Sequence, residues 1–258
     1  MSTALIGHTG FVGSNIHRQM KFDFLYNSKN IDDIVGKSFD LVVCAGVPAV
    51  KWWANKNPEE DLAIIESILD KIISIKAKRF ILISTIDTYP IPLKVNENNE
   101  IDINSVQPYG KHRLILEKKL KNNFENYNII RLPGLFGHGL KKNIIFDMLN
   151  NNMVDKINLE SKFQWYPLSR IWKDIETVIS NDISLCNFAV EPIKTRKLVT
   201  SFFPHLVVGN KPQPTVDYDI HTNHAASFLS KNKKYILDED GVMQEIAQWL
   251  KLSGVQNG

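Results

Sequence analysis

The chain has 258 residues, of which 43% are hydrophobic and 10% aromatic, so it can bury a core and is neither disordered nor fibrous. Its 31 basic and 28 acidic residues leave a net charge of only +3 with no basic cluster, which argues against a nucleic-acid partner. Both cysteines lie in apolar runs and the seven histidines show no metal-ligand spacing, so we expect neither a disulfide nor a metal site. No apolar run reaches about 18 residues, so we expect a cytoplasmic protein without a membrane span.

Strands and helices alternate through the first half of the chain. Short apolar runs predict strands at residues 3–6, 22–26, 40–45, 79–84 and 127–132. Helical periodicity predicts three helices, one ending near residue 20 and two at residues 58–75 and 109–124. The first strand begins too early to leave room for a signal peptide. This alternation predicts an α/β fold, a Rossmann-like doubly wound parallel sheet with right-handed crossovers.

Shorter elements follow beyond residue 133. The patterns predict helices at residues 143–150, 170–179 and 241–250, a strand at 163–168, and a late strand near 184–188 that returns to the sheet. The sequence therefore predicts a core over residues 1–133 and a small C-terminal lobe over residues 134–258.

Three glycines follow the first predicted strand with the spacing Gly-x-x-Gly-x-x-Gly, at Gly7, Gly10 and Gly13. At a strand-to-helix turn this spacing allows a tight turn, close approach to a pyrophosphate and close helix packing. The amides at the start of the helix then bind phosphate. We therefore expect the core to bind a dinucleotide. The predicted contact residues are Gly7, Thr9, Gly10, Phe11, Val12, Gly13, Ala45 and Gly46.

The end of the second predicted strand bears on the choice between NAD and NADP. An NAD site usually has Asp or Glu there, which hydrogen-bonds the ribose. This chain has Asn27, Ser28 and Lys29, with no acid before Asp32. Ser28 and Lys29 can hold a 2′-phosphate, so the sequence favours NADP over NAD. The alternative is that Lys29 is a solvated loop lysine.

Further segments of the chain resemble one enzyme family. Residues 84–89 are similar to a Ser-Ser/Thr-x-x-Val-Tyr signature, and residues 108–117 to a Tyr-Gly-x-Ser-Lys helix. Similar segments occur at residues 57–58, 131–137 and 187–192. With the glycine loop, these segments make the chain resemble the extended short-chain dehydrogenase/reductases. The members in question are the NAD-dependent epimerase/dehydratases that act on nucleotide sugars. The resemblance implies an NAD(P) cofactor and a nucleotide-sugar substrate, with a homodimer as the candidate assembly.

In that family a Ser/Thr and a Tyr polarise the sugar oxygen, and the resemblance places these roles on Thr85 and Tyr109. A phenol, whose pKa is about 10, must be made more acidic to act near neutral pH. A cation four residues later on the helix favours the phenolate. The family has lysine there, and this chain has Arg113. Arginine stays charged and can contact the nicotinamide ribose, but it cannot release a proton.

Three alternatives remain for the missing lysine. Arg113 substitutes for it, Lys111 is recruited by a locally shifted helix, or catalysis has been lost. The first two predict an NAD(P)-dependent enzyme that reduces or epimerises a nucleotide-activated sugar. The third predicts a dinucleotide-binding sensor or assembly protein with the same fold.

The remaining candidates concern the substrate. The family's 4,6-dehydratases have an Asp-Glu pair after the Thr, where this chain has Ile86 and Asp87, so dehydration is disfavoured. Asp87 is expected to orient the sugar or act as an accessory base, or else to be a turn residue. Asn143 matches the family's asparagine that meets the nucleotide-sugar phosphates, the alternative being a helix N-cap. Arg170 is a further candidate for the diphosphate.

Overall fold

A computed structural model of the chain describes residues 1–254. The strands are β1 (Thr3–Ile6), β2 (Phe24–Tyr26), β3 (Ser38–Cys44), β4 (Lys76–Thr85), β5 (Leu93–Val95), β6 (Tyr127–Leu132), β7 (Gly134–Phe136), β8 (Lys162–Phe163), β9 (Trp165–Pro167), β10 (Leu185–Asn187), β11 (Ile193–Lys194) and β12 (Asp219–Ile220). The helices are α1 (Phe11–Gln19), α2 (Lys51–Lys56), α3 (Pro58–Ile73), α4 (Pro108–Asn123), α5 (Ile144–Leu149), α6 (Ile171–Ser180), α7 (Thr195–Phe202) and α8 (Glu239–Leu252). None of the helices within these residues has the length and hydropathy needed to cross a membrane.

Six parallel strands form the central sheet in the order β2-β1-β3-β4-β6-β10. The chain pairs β2 on one side of β1 and β3 on the other, so the sheet is doubly wound, as the sequence predicts. All four residues of β1 are buried, and so are the last four of β3, which explains their uninterrupted apolar runs. In such a sheet, ligands bind at the carboxyl ends of the strands where the order reverses. Here that point lies between β1 and β3.

The core of the sheet domain lies between the strands and the apolar faces of α3 and α4. Ile65, Leu69 and Ile72 of α3 and Leu116 and Leu120 of α4 are all buried in it. The helical spacing of these residues puts them on one face of each helix, so both helices pack on the sheet along their length. Burying side chains of this kind stabilises the fold by about 1.5–3 kcal/mol each.

The chain divides into two compact units. The first, called the sheet unit below, holds residues 1–91, 97–132 and 170–187, with the six-stranded sheet and α1, α2, α3, α4 and α6. The second, called the small unit, holds residues 92–96 and 133–169 and the chain from 188 onward. It contains three two-stranded sheets, which pair β5 with β12, β7 with β9 and β8 with β11.

Polar side chains with partners distant in sequence account for two departures from the predicted elements. β2 begins at Phe24 because the Asp23 carboxylate accepts hydrogen bonds from the Thr3 amide and hydroxyl, at 2.8 and 2.9 Å. The strand predicted at residues 163–168 is interrupted at Gln164. This buried side chain donates to the carbonyl oxygens of Val190 and Ile220, at 2.6 and 2.8 Å. The helix α2 was not predicted, because its six residues include adjacent tryptophans and show no helical period.

Candidate active site

The glycine loop joins β1 to α1 at the carboxyl edge of the sheet. Gly7 has a φ of +86°, and a Cβ there would lie 2.4 Å from Gly46 Cα. A Cβ on Gly13 would lie 2.1 Å from the Gly7 carbonyl oxygen. A Cβ on Gly10 would approach no protein atom closer than 3.3 Å. The fold therefore requires Gly7 and Gly13, whereas a Cβ on Gly10 would make one tight contact, with the Gly7 carbonyl oxygen, and no severe clash.

The N-terminus of α1 completes this loop. Gly10 is the N-cap, so no side chain caps the helix, and its first turn contains no acidic residue. The amides of the first turn, which begins with Phe11 and Val12, therefore lie at the positive end of the helix without a charged or capping group from the chain itself. Thr9 and Gly10 are exposed. These features fit the pyrophosphate of a dinucleotide.

The segment after β2 forms a tight polar turn. The Asn27 side chain accepts a hydrogen bond from the Lys29 amide at 2.8 Å and contacts His8 Nε2 of the glycine loop at 3.0 Å. Ser28 and Lys29 are exposed. The first acid, Asp32, lies 2.7 Å from the Lys71 ammonium of α3. The turn therefore presents a hydroxyl and an ammonium group, and Asn27 holds its shape.

Thr85, Asp87 and Tyr109 come together where β4 ends and α4 begins. The Thr85 hydroxyl oxygen accepts the Asp87 amide at 3.1 Å, and the same side chain is hydrogen-bonded to the Tyr109 phenol. Gly110 allows this approach, since a Cβ there would lie 1.9 Å from the Asp87 carbonyl oxygen. The structure thus pairs the hydroxyl and the phenol that the sequence singles out.

Burial dominates the acidity of Tyr109, which is 7% exposed. Loss of solvent raises the pKa of the phenol above its ordinary value, and the Asp87 carboxylate acts in the same direction. Arg113, the hydrogen bond from Thr85, and Lys51 all act to lower the pKa. Arg113 therefore lowers the pKa of Tyr109, as expected, but the rise in pKa caused by burial is larger. The phenol stays protonated at neutral pH.

Arg113 lies inside the protein, with its side chain 4% exposed. Its guanidinium donates to Asp61 at 2.6 and 3.2 Å, to the Tyr109 carbonyl oxygen at 3.0 Å and to the Pro48 carbonyl oxygen. The same group stacks 3.9 Å from the centre of the Tyr109 ring. His112 shares the Asp61 carboxylate, with its Nδ1 2.7 Å away. Arg113 thus ties α4 to α3 and to the segment after β3, and its contact with a ribose stays a prediction.

The recruitment of Lys111 receives no support from the shape of α4. The helix runs without interruption over Pro108–Asn123, and the Lys111 amide bonds to the Gln107 carbonyl oxygen at 2.9 Å, as in a regular first turn. In a regular helix a residue two positions after Tyr109 lies on another face.

Several residues at this site were not singled out from the sequence as site residues. Asp61 belongs to an acidic first turn of α3, which by itself indicates only a favourable interaction with the helix dipole. Asn55 accepts the Tyr109 amide at 3.0 Å, and Lys51 pairs with Asp87 at 2.7 Å. The one local signal in the sequence is the spacing of four between Lys51 and Asn55, which places both on one face of a helix.

Asn143 and Arg170 have structural partners within the chain. Asn143 caps α5 by accepting the Ile145 and Phe146 amides, both at 3.0 Å, and its backbone has a φ of +123°. The guanidinium of Arg170 bonds the Asp174 carboxylate at 2.7 and 3.0 Å. The N-cap alternative for Asn143 is therefore what the structure displays, and a phosphate contact by either residue stays a prediction.

A cavity of about 260 Å³ lies in the small unit, beside the helix that Asn143 caps. Its wall combines apolar and aromatic side chains with amides. The lining includes Ile144, Ile157, Asn158, Phe163, Gln213 and Val216. The wall also carries Asp147, Lys156 and Ser161, so it mixes apolar, amide and charged groups.

Comparisons of the whole structure with solved structures identify the fold, although no family model and no curated protein sequence matches the chain. The dTDP-4-dehydrorhamnose reductase of Bacillus anthracis, solved with NADP, superposes with a TM-score of 0.74 at 12% identity, over 96% of this chain and 99% of that one. The UDP-N-acetylglucosamine 4-epimerase of Methanobrevibacter ruminantium gives 0.73 at 16% identity, over 97% of both chains. A NAD-dependent NDP-hexosamine 5,6-dehydratase gives 0.69 at 14% identity, over 97% and 98%.

The chain has the fold of the extended short-chain dehydrogenase/reductases. The predicted Rossmann-like class and the resemblance to these nucleotide-sugar enzymes are thereby confirmed at the level of the fold. Identities of 12–16% do not determine which reaction the chain carries out.

The contacts of Arg113 predict a specific cost for the substitution Arg113→Lys. A single ammonium cannot serve Asp61 and the carbonyls of Pro48 and Tyr109 together, so we expect the free energy of unfolding to fall by about 1–3 kcal/mol. Urea denaturation monitored by circular dichroism measures this loss. Arg196→Lys is the control, because Arg196 pairs with Glu160 at the surface and should tolerate the change. Equal urea midpoints for Arg113→Lys and wild type would contradict the structural role.

Proposed function

We propose that the chain is an NAD(P)-dependent enzyme that acts on a nucleotide-activated sugar, with keto-reduction favoured over epimerisation. The observation that carries the proposal is the Thr85–Tyr109 pair at the carboxyl edge of the same sheet that bears the open Gly10 loop. The solved structures of similar fold support it, since they include a reductase with NADP and epimerases of UDP-sugars.

The residues of the chain fit a dinucleotide. Gly10 leaves space where a side chain would project, and the uncapped start of α1 offers amides to a pyrophosphate. Ala45 and Gly46 follow β3 beside this loop, and Gly46 packs on Ile6 so closely that a Cβ would lie 2.9 Å from its side chain. When bound, the nicotinamide supplies the hydride. We propose that Ser28 and Lys29 hold the 2′-phosphate of NADP.

The chain's own part in a reduction is to hold and protonate the keto oxygen. Thr85 orients that oxygen through its hydroxyl, and Tyr109 donates the proton. The phenol is protonated at neutral pH and can donate this proton, but burial makes it a weaker acid, so the phenolate that remains must be stabilised by nearby groups. Epimerisation starts with an oxidation, for which the same group must act as a base. The protonated state of Tyr109 therefore supports the reductive direction.

Substrate contacts are assigned to Asp87, Asn143 and Arg170. We propose that Asp87 orients the sugar and that Asn143 and Arg170 serve the phosphates. Dehydration at C4 and C6 of the sugar stays disfavoured. Ile86 is buried and has no ionisable group that could donate a proton, and Asp87 is paired with Lys51.

A dinucleotide-binding protein without turnover is the second candidate. The ion pair between Arg113 and Asp61 favours this second candidate, because the residue at the position of the family's lysine is bonded within the protein and stabilises the fold. Oxidation of NADPH in the presence of 4-keto sugar nucleotides distinguishes the two, because only an enzyme consumes the cofactor.

Gly10→Val tests the cofactor site. The added side chain occupies the space outside the loop without a severe clash within the protein, so we expect loss of dinucleotide binding and retention of the fold. Calorimetric titration with NADPH measures the first, and the thermal unfolding curve checks the second. Unchanged affinity in a folded Gly10→Val protein would refute the assignment.

Lys29→Glu tests the choice of cofactor. Reversing the charge beside a 2′-phosphate should weaken NADPH binding about tenfold or more while sparing NADH, which lacks that group. Lys21→Glu makes the same charge change at the exposed end of α1 and is the control. If wild type binds NADH tenfold more tightly than NADPH, the preference for NADP is wrong.

Tyr109→Phe tests the reacting centre. Removing a general acid typically costs about 10²–10⁴-fold in rate, so we expect turnover of a keto sugar nucleotide to fall in that range with cofactor affinity unchanged. Because the protonated phenol is the active form, the wild-type rate should fall as the pH rises through the raised pKa of Tyr109. Tyr127→Phe, in β6, is the matched control. Undiminished turnover in Tyr109→Phe would remove this residue from the mechanism.

A further inference from the structure

Tyr109 has a second cation near it, which comes from a different helix. Lys51 is the first residue of α2, and its Nζ lies 2.7 Å from Asp87 Oδ1. Asp87 donates its amide to the Thr85 hydroxyl oxygen at 3.1 Å, and Thr85 is hydrogen-bonded to the phenol. A short series of polar contacts therefore joins the Lys51 ammonium to the group that is proposed to donate the proton.

The position of Lys51 is set by the contacts that also set Tyr109. Asn55 lies one turn after Lys51, on the same face of α2. Its Oδ1 accepts the backbone amide of Tyr109 at 3.0 Å. Gly110 in turn packs directly on the Asp87 carbonyl. α2, the turn after β4 and the start of α4 thus meet at one point, and Lys51 is held at that point.

Lys51 and Arg113 differ in what surrounds them. The Arg113 side chain is 4% exposed and is occupied by Asp61 and two backbone carbonyls. The Lys51 side chain is 46% exposed and that of Asp87 is 21% exposed. The charged groups that act on the Tyr109 phenol are Arg113 from α4, Asp87 from the turn after β4, and Lys51 from α2. Arg113 is part of the buried interface between α3 and α4, whereas Lys51 lies at the start of α2, outside that interface.

We propose that Lys51, paired with Asp87, adds to the positive charge of Arg113 in supporting proton transfer by Tyr109, and does so from α2, since α4 has no lysine at the expected position. The inference rests on the proposed reduction. As the Tyr109 O–H bond breaks, the proton passes to the keto oxygen and a phenolate remains. The nearby ammonium of Lys51 stabilises that phenolate. Lys51 is a positioning residue here, since it acts through Tyr109.

Titration of Tyr109 tests the proposal without cofactor or substrate. In protein labelled with ¹³Cζ-tyrosine, the Tyr109 signal is assigned from its absence in Tyr109→Phe, and its chemical shift is followed with pH. Lys51→Met should raise the pKa of Tyr109, and Lys51→Arg should restore the wild-type value. Asp87→Asn should lower it, because the opposing charge is removed. Lys56→Met, at the exposed far end of α2, should have no effect.

Turnover supplies the second readout. Lys51→Met should lower kcat about tenfold with cofactor affinity unchanged, and Lys51→Arg should recover it. An unchanged pKa of Tyr109 in Lys51→Met, or no recovery in Lys51→Arg, would overturn the proposal. If wild type consumes no keto sugar nucleotide, the proposed function fails by itself, and the titration still decides whether Lys51 acts on Tyr109.

Discussion

The geometry of the site depends on the buried carboxylate of Asp61. Its side chain is 1% exposed and accepts bonds from both His112 and Arg113. An unpaired charge at this depth would be strongly unfavourable, so the two partners are a condition for burying it. Because Arg113 also donates to Pro48 and Tyr109, one carboxylate holds together α3, α4 and the segment after β3. The orientation of Tyr109 follows from that arrangement.

This arrangement has a chemical consequence. Arg113, held by these bonds, stacks on the Tyr109 ring and lowers the pKa of the phenol, and the remaining influences come from three other neighbours. Thr85 bonds to the phenol, Asp87 opposes its ionisation, and Lys51 favours it. The balance leaves a protonated phenol, which suits the delivery of a proton to a carbonyl oxygen. Arg113 thus contributes both to the contact between the two helices and to the acidity of the phenol.

Local patterns predicted much of the fold, because its main elements depend on local physics. Strands buried on both faces are mainly apolar, which is why β3 and β6 were found close to their observed bounds, although β6 also buries Asn128 and Arg131. α3 shows the helical spacing that packing on a sheet requires. The missed features depend on remote partners. Gln164 interrupts a strand by bonding to Val190 and Ile220, which are distant in sequence.

The sequence by itself determined the order of the strands in the central sheet domain along the chain and of its longer helices. It also determined the glycine loop and the candidate pair Thr85 and Tyr109, since each is encoded in a short run of residues. It also placed Arg113 on the same face of α4 as Tyr109, one turn along. Only the tertiary structure decided what Arg113 bonds to and which other cation approaches the phenol. A long guanidinium side chain can reach several partners from one helix face. Its direction is set by the buried carboxylate of Asp61, which comes from another helix and must be neutralised there.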